Sequence, residues 1–184
     1  MSKIILGFTG QIASGKDVCK KYLEEKYGAK SFRFSTIMRE LLSRLDLEIN
    51  RQNLSSISLS LRQTFGEDLF AKTMAKDVTN DQTEIIVVDG IRRLADIEYL
   101  KRVSGFYLIS IDALAETRYQ RVIQRNENIG DHDKTFEQFL SDEKLETEMS
   151  IPAVMSQATI KINNNGNLGE LYQRLDNMIA EIKK

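Results

Sequence analysis

Residues 3–9 form a short aliphatic and β-branched run. From Lys16 onward apolar residues recur at helical spacing, with Val18, Tyr22 and Leu23 on one side. The pattern predicts a strand, a loop and a helix. A second strand is expected over residues 29–34, followed by helical periodicity over 36–45 and again over 53–70. Residues 84–88 are almost wholly aliphatic and run into Asp89-Gly90, the pattern of a central strand covered on both faces. Residues 106–111 repeat it, 115–125 and the acidic stretch 136–148 read as helices, and 158–162 give a fifth strand before a closing helix. Pro152, the only proline, is placed to start a short helix, and Asn163-Asn164-Asn165-Gly166 is the clearest loop.

Five short strands separated by helical crossovers imply a parallel three-layer α/β sheet, because parallel neighbours need long right-handed connections that cover both faces. Ligands of such sheets sit at the strands' C-terminal ends. With 184 residues and no linker or repeat, one domain is expected. Lys and Arg number 26 against 27 Asp and Glu, which gives no support to nucleic-acid binding. Tyr and Phe fall at core-like spacing rather than between basic residues, so no stacking platform for single strands is indicated. No stretch reaches membrane-spanning length. Cys19, the sole cysteine, has no internal disulfide partner, and no charged-then-apolar leader precedes the first strand, so a cytoplasmic setting is expected.

The chemistry concentrates in Gly10-Gln11-Ile12-Ala13-Ser14-Gly15-Lys16-Asp17, between the first strand and the first helix. The two glycines let backbone amides curl around an anion at a helix N-terminus, and Lys16 brings a positive charge to the β and γ phosphates of a nucleotide. The motif asks for Ser or Thr after the lysine, as a magnesium ligand; Asp17 stands there instead. A carboxylate at that place can hold magnesium directly or through water, and can cap the helix. A chance glycine-rich turn is the competing reading, against which stands the strand-loop-helix context.

Asp89 closes the aliphatic strand and is expected to hold a magnesium-bound water if that strand neighbours the first; a turn residue paired with Gly90 is the alternative. Phosphoryl transfer also needs charge neutralised on donor and acceptor, for which arginine's planar fork is suited. Arg39, Arg62, Arg92, Arg93, Arg121 and Arg125 are candidates, with surface ion pairs the competing reading for each; Arg118 and Arg174 are assigned to that surface reading. His132, between Asp131 and Asp133, is read as an exposed loop residue, and Cys19 as a packed helix residue.

Over nearly its whole length the chain resembles the nucleoside monophosphate kinase group of P-loop proteins, including adenylate kinase-like, deoxynucleotide monophosphate kinase and dephospho-coenzyme A kinase relatives. Phe34-Ser35-Thr36-Ile37-Met38-Arg39 looks like the acceptor segment of adenylate kinases, which implies acceptor roles for Thr36 and Arg39. Asp89-Gly90-Ile91-Arg92-Arg93 is similar to the family's Asp-Gly-Phe-Pro-Arg, implying an acceptor-phosphate arginine at Arg93 or at Arg92. Arg121 and Arg125 look like the paired arginines at the lid entrance that face the donor nucleotide, while Glu143, Glu146 and Glu148 replace arginines found beyond the lid. The Ser-Gly-Lys-Asp end of the loop resembles that of deoxynucleotide monophosphate kinases, and the strand and turn over 158–166 resemble those ending dephospho-coenzyme A kinases.

The resemblance implies a sheet of order 2-3-1-4-5, an acceptor-binding helical lobe over residues 36–80 and a short lid over 125–135. It implies ATP and Mg2+ as cofactors and transfer of the γ-phosphoryl group to a nucleotide-like acceptor, a (deoxy)nucleoside monophosphate being the leading expectation. Catalytic roles fall to Lys16, Asp89, Arg121 and Arg125, phosphate binding to residues 10–17, acceptor binding to Thr36, Arg39, Arg62, Arg92 and Arg93, and metal binding to Asp17 and Asp89. Dephospho-coenzyme A kinase is the rival enzyme; a nucleotide-dependent ATPase or switch is the rival outside the kinases. Expected partners are small nucleotides, with neither nucleic acid nor membrane, and the chain is expected to be a monomer or dimer.

Overall fold

In the computed structural model residues 3–125, 132–144 and 146–184 are described. Five strands, β1 (Ile4–Thr9), β2 (Lys30–Arg33), β3 (Ile85–Asp89), β4 (Phe106–Asp112) and β5 (Ile160–Asn163), form one sheet in the order β2-β3-β1-β4-β5. Every pairing is parallel. The expected architecture and strand order are both present.

Alternation along the strands divides the core into two layers, since successive side chains point to opposite faces. Ile4, Leu6 and Phe8 of β1 pack with Cys19 and Leu23 of helix α1 (Lys16–Tyr27). They also meet Leu171, Leu175, Met178 and Ile179 of the closing helix, Leu168–Ile182. Ile5, Ile86 and Val88 face the other way, onto Phe70, Met74 and Val78 of the helix Leu69–Asn80 and onto Ile97 and Val154. All six residues of β1 and all five of β3 are buried, so the sheet's middle is the most desolvated part of the molecule. Truncating Phe8 in this layer costs about 3–5 kcal/mol.

Between β2 and β3 run three helices: α2 (Phe34–Arg44), α3 (Arg51–Phe65) and α4 (Leu69–Asn80). The single helical stretch expected over 53–70 is thus two, broken where the Gly66 amide caps Arg62 O at 2.8 Å and Asp68 starts the next helix. After β3 come α5 (Leu94–Glu98), which no periodicity announced, a 3-10 turn (Leu100–Arg102), and, after β4, α6 (Ala115–Arg125). The acidic stretch 136–148 is likewise divided, into α7 (Phe136–Asp142) and the short α8 (Glu146–Met149). Pro152 lies in the first turn of α9 (Ile151–Ser156), and α10 is the closing helix, Leu168–Ile182.

On α1 the buried face is Cys19 and Leu23, not the expected Val18, which is exposed. Desolvation pushes the Cys19 thiol up to about 12, which keeps it protonated and inert, in keeping with a packing role. Among the described residues no helix is long and apolar enough to cross a membrane.

Candidate active site

β1 and β3 are neighbours, and their C-terminal ends bring the glycine-rich loop and Asp89 to the same edge of the sheet. Thr9 fixes this junction: its buried hydroxyl donates to Ile91 O at 3.3 Å, tying the end of β1 to the segment after β3. The loop then turns through Gly10 and reaches α1 through Gly15, at φ 104°. A Cβ at Gly10 would lie 2.4 Å from Ile111 O, and one at Gly15 would lie 2.2 Å from Asn164 Nδ2, so neither place admits a larger residue.

Lys16 folds back over the loop and donates to Gly10 O at 2.6 Å and Gln11 O at 3.0 Å. Burial lowers its pKa; the negative charges of Asp89, Asp17 and Glu148 oppose this, and the positive charge of Arg92 adds to it. Ser14 Oγ is buried and has no hydrogen-bond partner among the described residues. An orphaned hydroxyl beneath a ring of curled backbone and a retracted lysine fits an anionic group such as a polyphosphate.

Asp89, 5 % exposed, accepts from Arg33 Nε at 2.8 Å and Nη2 at 2.6 Å, both on Oδ2. Arg33 Nη2 also lies 3.3 Å from Asp17 Oδ1, and Lys20 Nζ lies 3.3 Å from Asp17 and 4.0 Å from Asp89. Burial would lower the Arg33 pKa, but the hydrogen bonds to Asp89 and the charges of Asp89 and Asp17 hold it above its ordinary value. The two expected metal carboxylates therefore meet around one cationic nitrogen; among the described residues no group of three or more His, Cys, Asp or Glu is gathered for a metal, so an ion here would draw further oxygens from a bound ligand or water. Asp17 does not cap α1 as expected; the cap position is Gly15 without a side-chain bond.

Behind the loop a second network holds it in place. Asn164, 5 % exposed, donates from Nδ2 to Ser14 O at 2.8 Å, and its own N–H reaches Asp112 O at 2.7 Å. Arg121 Nη2 donates to Asn164 O at 2.8 Å, while its Nη1 is buried without a hydrogen-bond partner among the described residues; burial lowers the Arg121 pKa. Arg118, expected on the surface, is 3 % exposed. Its Nε donates to Ala113 O at 2.9 Å, its Nη1 pairs with Glu143, and its guanidinium lies over the Phe139 ring, 5.4 Å from the centroid. Glu143 also accepts from Gln11 Nε2 at 3.1 Å, so a residue of α6 and one following α7 grip the phosphate loop together. Arg174 pairs with Glu170 and donates to Asn163 O at 2.7 Å.

The remaining arginines divide between two places. Arg92 pairs with Glu148 at 3.2 Å, both near enough to Lys16 for their charges to act on it. Arg93 points elsewhere, to Glu67 at 3.2 Å, and its charge reaches Arg62. Arg62 donates to Ser58 Oγ at 2.9 Å, lies over the Phe70 ring and keeps a buried Nε without a hydrogen-bond partner among the described residues; burial first, then Arg93, lowers its pKa. Asp96 accepts from the N–H groups of Arg92 and Arg93 at 3.0 and 2.9 Å, fixing the turn that sends them apart. Thr36 and Arg39 are exposed on α2, Arg39 in an open depression of about 500 Å3 with Glu40, Ser43, Arg44 and Ile49. They are not drawn into the loop's network. Of the expected lid, residues 126–131 lie outside those described; His132 is exposed.

Arg33 and Lys20 have no part in the sequence expectations, and Glu143 and Asn164 enter them only as a replacement for arginine beyond the lid and as a loop residue, not as supports of the phosphate loop. Arg33 was readable: β2 and β3 end together, and a parallel register sets Arg33 opposite Asp89. Asp17 and Lys20 are one helical turn apart, another available signal. Glu143 and Asn164 meet the loop across 132 and 150 residues of sequence, which no local pattern discloses.

No protein-family model matches the chain. A UPF0200 protein of Saccharolobus islandicus is 28% identical, the match covering 99% of this chain and 95% of that protein. A UPF0200 protein of Methanococcus maripaludis is 26% identical, covering 97% of each. Solved structures share the fold. A dephospho-CoA kinase from Campylobacter jejuni superposes with TM-score 0.61 at 16% identity, over 97% of this chain and 96% of that one. A shikimate kinase from Bacteroides thetaiotaomicron gives TM-score 0.61 at 14% identity, over 96% of this chain and 98% of that one. The chain has the fold of P-loop kinases.

Proposed function

We propose that this protein is a phosphotransferase that moves the γ-phosphoryl group of Mg-ATP to a nucleotide-like acceptor, a (deoxy)nucleoside monophosphate first among them. The observation that carries this reading is the glycine-bounded loop with Lys16 folded over it and Asp89 beside it at the end of the neighbouring strand.

Residues 10–17 bind the donor's phosphates: backbone amides and the α1 N-terminus receive them, and Lys16 leaves its carbonyl partners to follow the transferring charge. Asp17 and Asp89 would hold magnesium, which would supply charge neutralisation for the transferring phosphoryl group. Catalysis is positioning and electrostatic stabilisation, without a covalent intermediate. Arg92, beside Lys16, serves the transferring group, whereas Arg93 and Arg62 face the helices between β2 and β3 and serve the acceptor together with Thr36 and Arg39. Arg121, with one buried unpartnered amine, and Arg125 contact the donor from α6. Residues 36–80 form the acceptor lobe, which closes over the acceptor to exclude water; most of the lid expected over 125–135 lies outside the described residues.

Dephospho-coenzyme A is the second acceptor to consider, favoured by the turn after β5 that bonds the phosphate loop through Asn164. A coupled assay of ADP release across nucleoside and deoxynucleoside monophosphates, dephospho-coenzyme A and shikimate decides among acceptors. Release well above the ATP-only rate with a nucleoside monophosphate is expected. Release at the ATP-only rate with every acceptor would sink the proposal.

A further inference from the structure

We propose that Arg33 is a displaceable internal cation: it holds Asp17 and Asp89 together in the nucleotide-free protein, and a divalent metal that bridges these carboxylates takes the place of its Nη2. This rests on the magnesium role given above to the two carboxylates.

Three observations carry it. Arg33 Nε and Nη2 both point at Asp89 Oδ2, at 2.8 and 2.6 Å, so that oxygen already carries two charge-assisted donors. The same Nη2 reaches Asp17 Oδ1 at 3.3 Å, which makes it the point where both carboxylates' charge converges. A magnesium ion, which bonds oxygen at about 2 Å, cannot share that point with the guanidinium. The partners also differ in freedom: the Asp89 side chain is 7% exposed on a buried strand, whereas the Arg33 side chain is 47% exposed at the junction of β2 and α2. The arginine can leave toward solvent; the aspartate cannot.

Lys20, near both carboxylates, stays as their remaining countercharge when Arg33 swings away. Without nucleotide, a metal has only two carboxylates to set against the lost charge-assisted bonds. With nucleotide, phosphate oxygens complete its shell. Metal therefore enters with the nucleotide rather than before it.

The test is titration of the full-length protein with Mn2+ in the absence of nucleotide, free metal being followed by electron paramagnetic resonance. Arg33→Gln is expected to bind Mn2+ about tenfold tighter than wild type, and R33Q/D89N to lose that gain. Arg33→Lys, which keeps the charge but not the fork, is expected to gain about threefold and decides the matter if the glutamine variant does not fold. Equal affinity in wild type and in the folded variants, or a gain that survives the Asp89→Asn change, would overturn the proposal. Binding of a fluorescent ATP analogue with Mg2+ present is measured alongside, in a separate titration. If the Mn2+ gain appears but no analogue binds, displacement stands and the kinase reading fails. If the analogue binds but Mn2+ affinity does not move, displacement alone fails.

Discussion

The two ends of this site are built differently. The phosphate loop is held from behind at four points, by Thr9 to Ile91, Gln11 to Glu143, Ile12 near Arg118 and Ser14 to Asn164, and it lies against strands buried along their whole length. The helices between β2 and β3 are the opposite case. No residue of α3 is buried, Leu59 and Phe65 on it are more than half exposed, and Leu45, Leu47 and Ile49 of the α2–α3 segment are exposed too. Local stability tracks buried apolar contact, so the loop belongs to the rigid part of the molecule and α2–α3 to the part that opens at low cost. A kinase needs that division: fixed dipoles where charge develops, and a lobe that closes over a variable acceptor.

The largest expected effect comes from removing the charge inside the rigid half. Lys16→Ala should abolish turnover and weaken ATP binding at least about 100-fold by calorimetry, with little change in thermal midpoint because Lys16 Nζ bonds carbonyls of its own loop rather than tying distant elements together. An unchanged ATP affinity would remove the loop from the account. Next is Arg118→Ala, which leaves Glu143 without its buried partner and frees the loop's rear support. A loss of about 3–5 kcal/mol, read as a thermal midpoint lower by on the order of 10 °C, is expected. A shift under about 2 °C would mean that this network is decorative. Arg39→Ala, in the mobile half, should do the reverse: acceptor KM up about tenfold, thermal midpoint essentially as in wild type.

The smallest effect concerns the seating of α1 on α10. Burial alone would raise the Asp176 pKa, but hydrogen bonds from Lys26, Tyr27 and Tyr22 outweigh it and lower it. A depressed carboxylate contributes stability that is complete above its unfolded pKa, about 3.9, and is lost as pH falls through the lower folded value. Between roughly pH 5 and pH 2.5 the urea midpoint of wild type should therefore fall more steeply than that of Asp176→Asn. Parallel curves would show that the pairing contributes nothing.

The same contrast explains what could be read from the chain. Strands such as β3, five consecutive buried residues ending in Asp89, announce themselves, and the glycine-lysine loop carries its meaning within eight residues. Contacts set by packing between distant elements do not. Arg118 looks like any helix arginine until Phe139 and Glu143 fold over it, and α5 is too short to show a period. The break at Gly66 was missed because apolar spacing continues through it from Leu61 to Phe70. The proposed acceptor residues are the least legible part, since Thr36 and Arg39 stand exposed on α2 and no contact to the loop marks them.

The most direct test follows the phosphoryl group itself. With γ-labelled ATP, Mg2+ and a panel of nucleoside monophosphates, wild type should carry the label into an acceptor-derived product, resolved by chromatography, that Lys16→Ala does not form. Label found only in inorganic phosphate, with every acceptor, would contradict transfer and leave ATP hydrolysis as the activity.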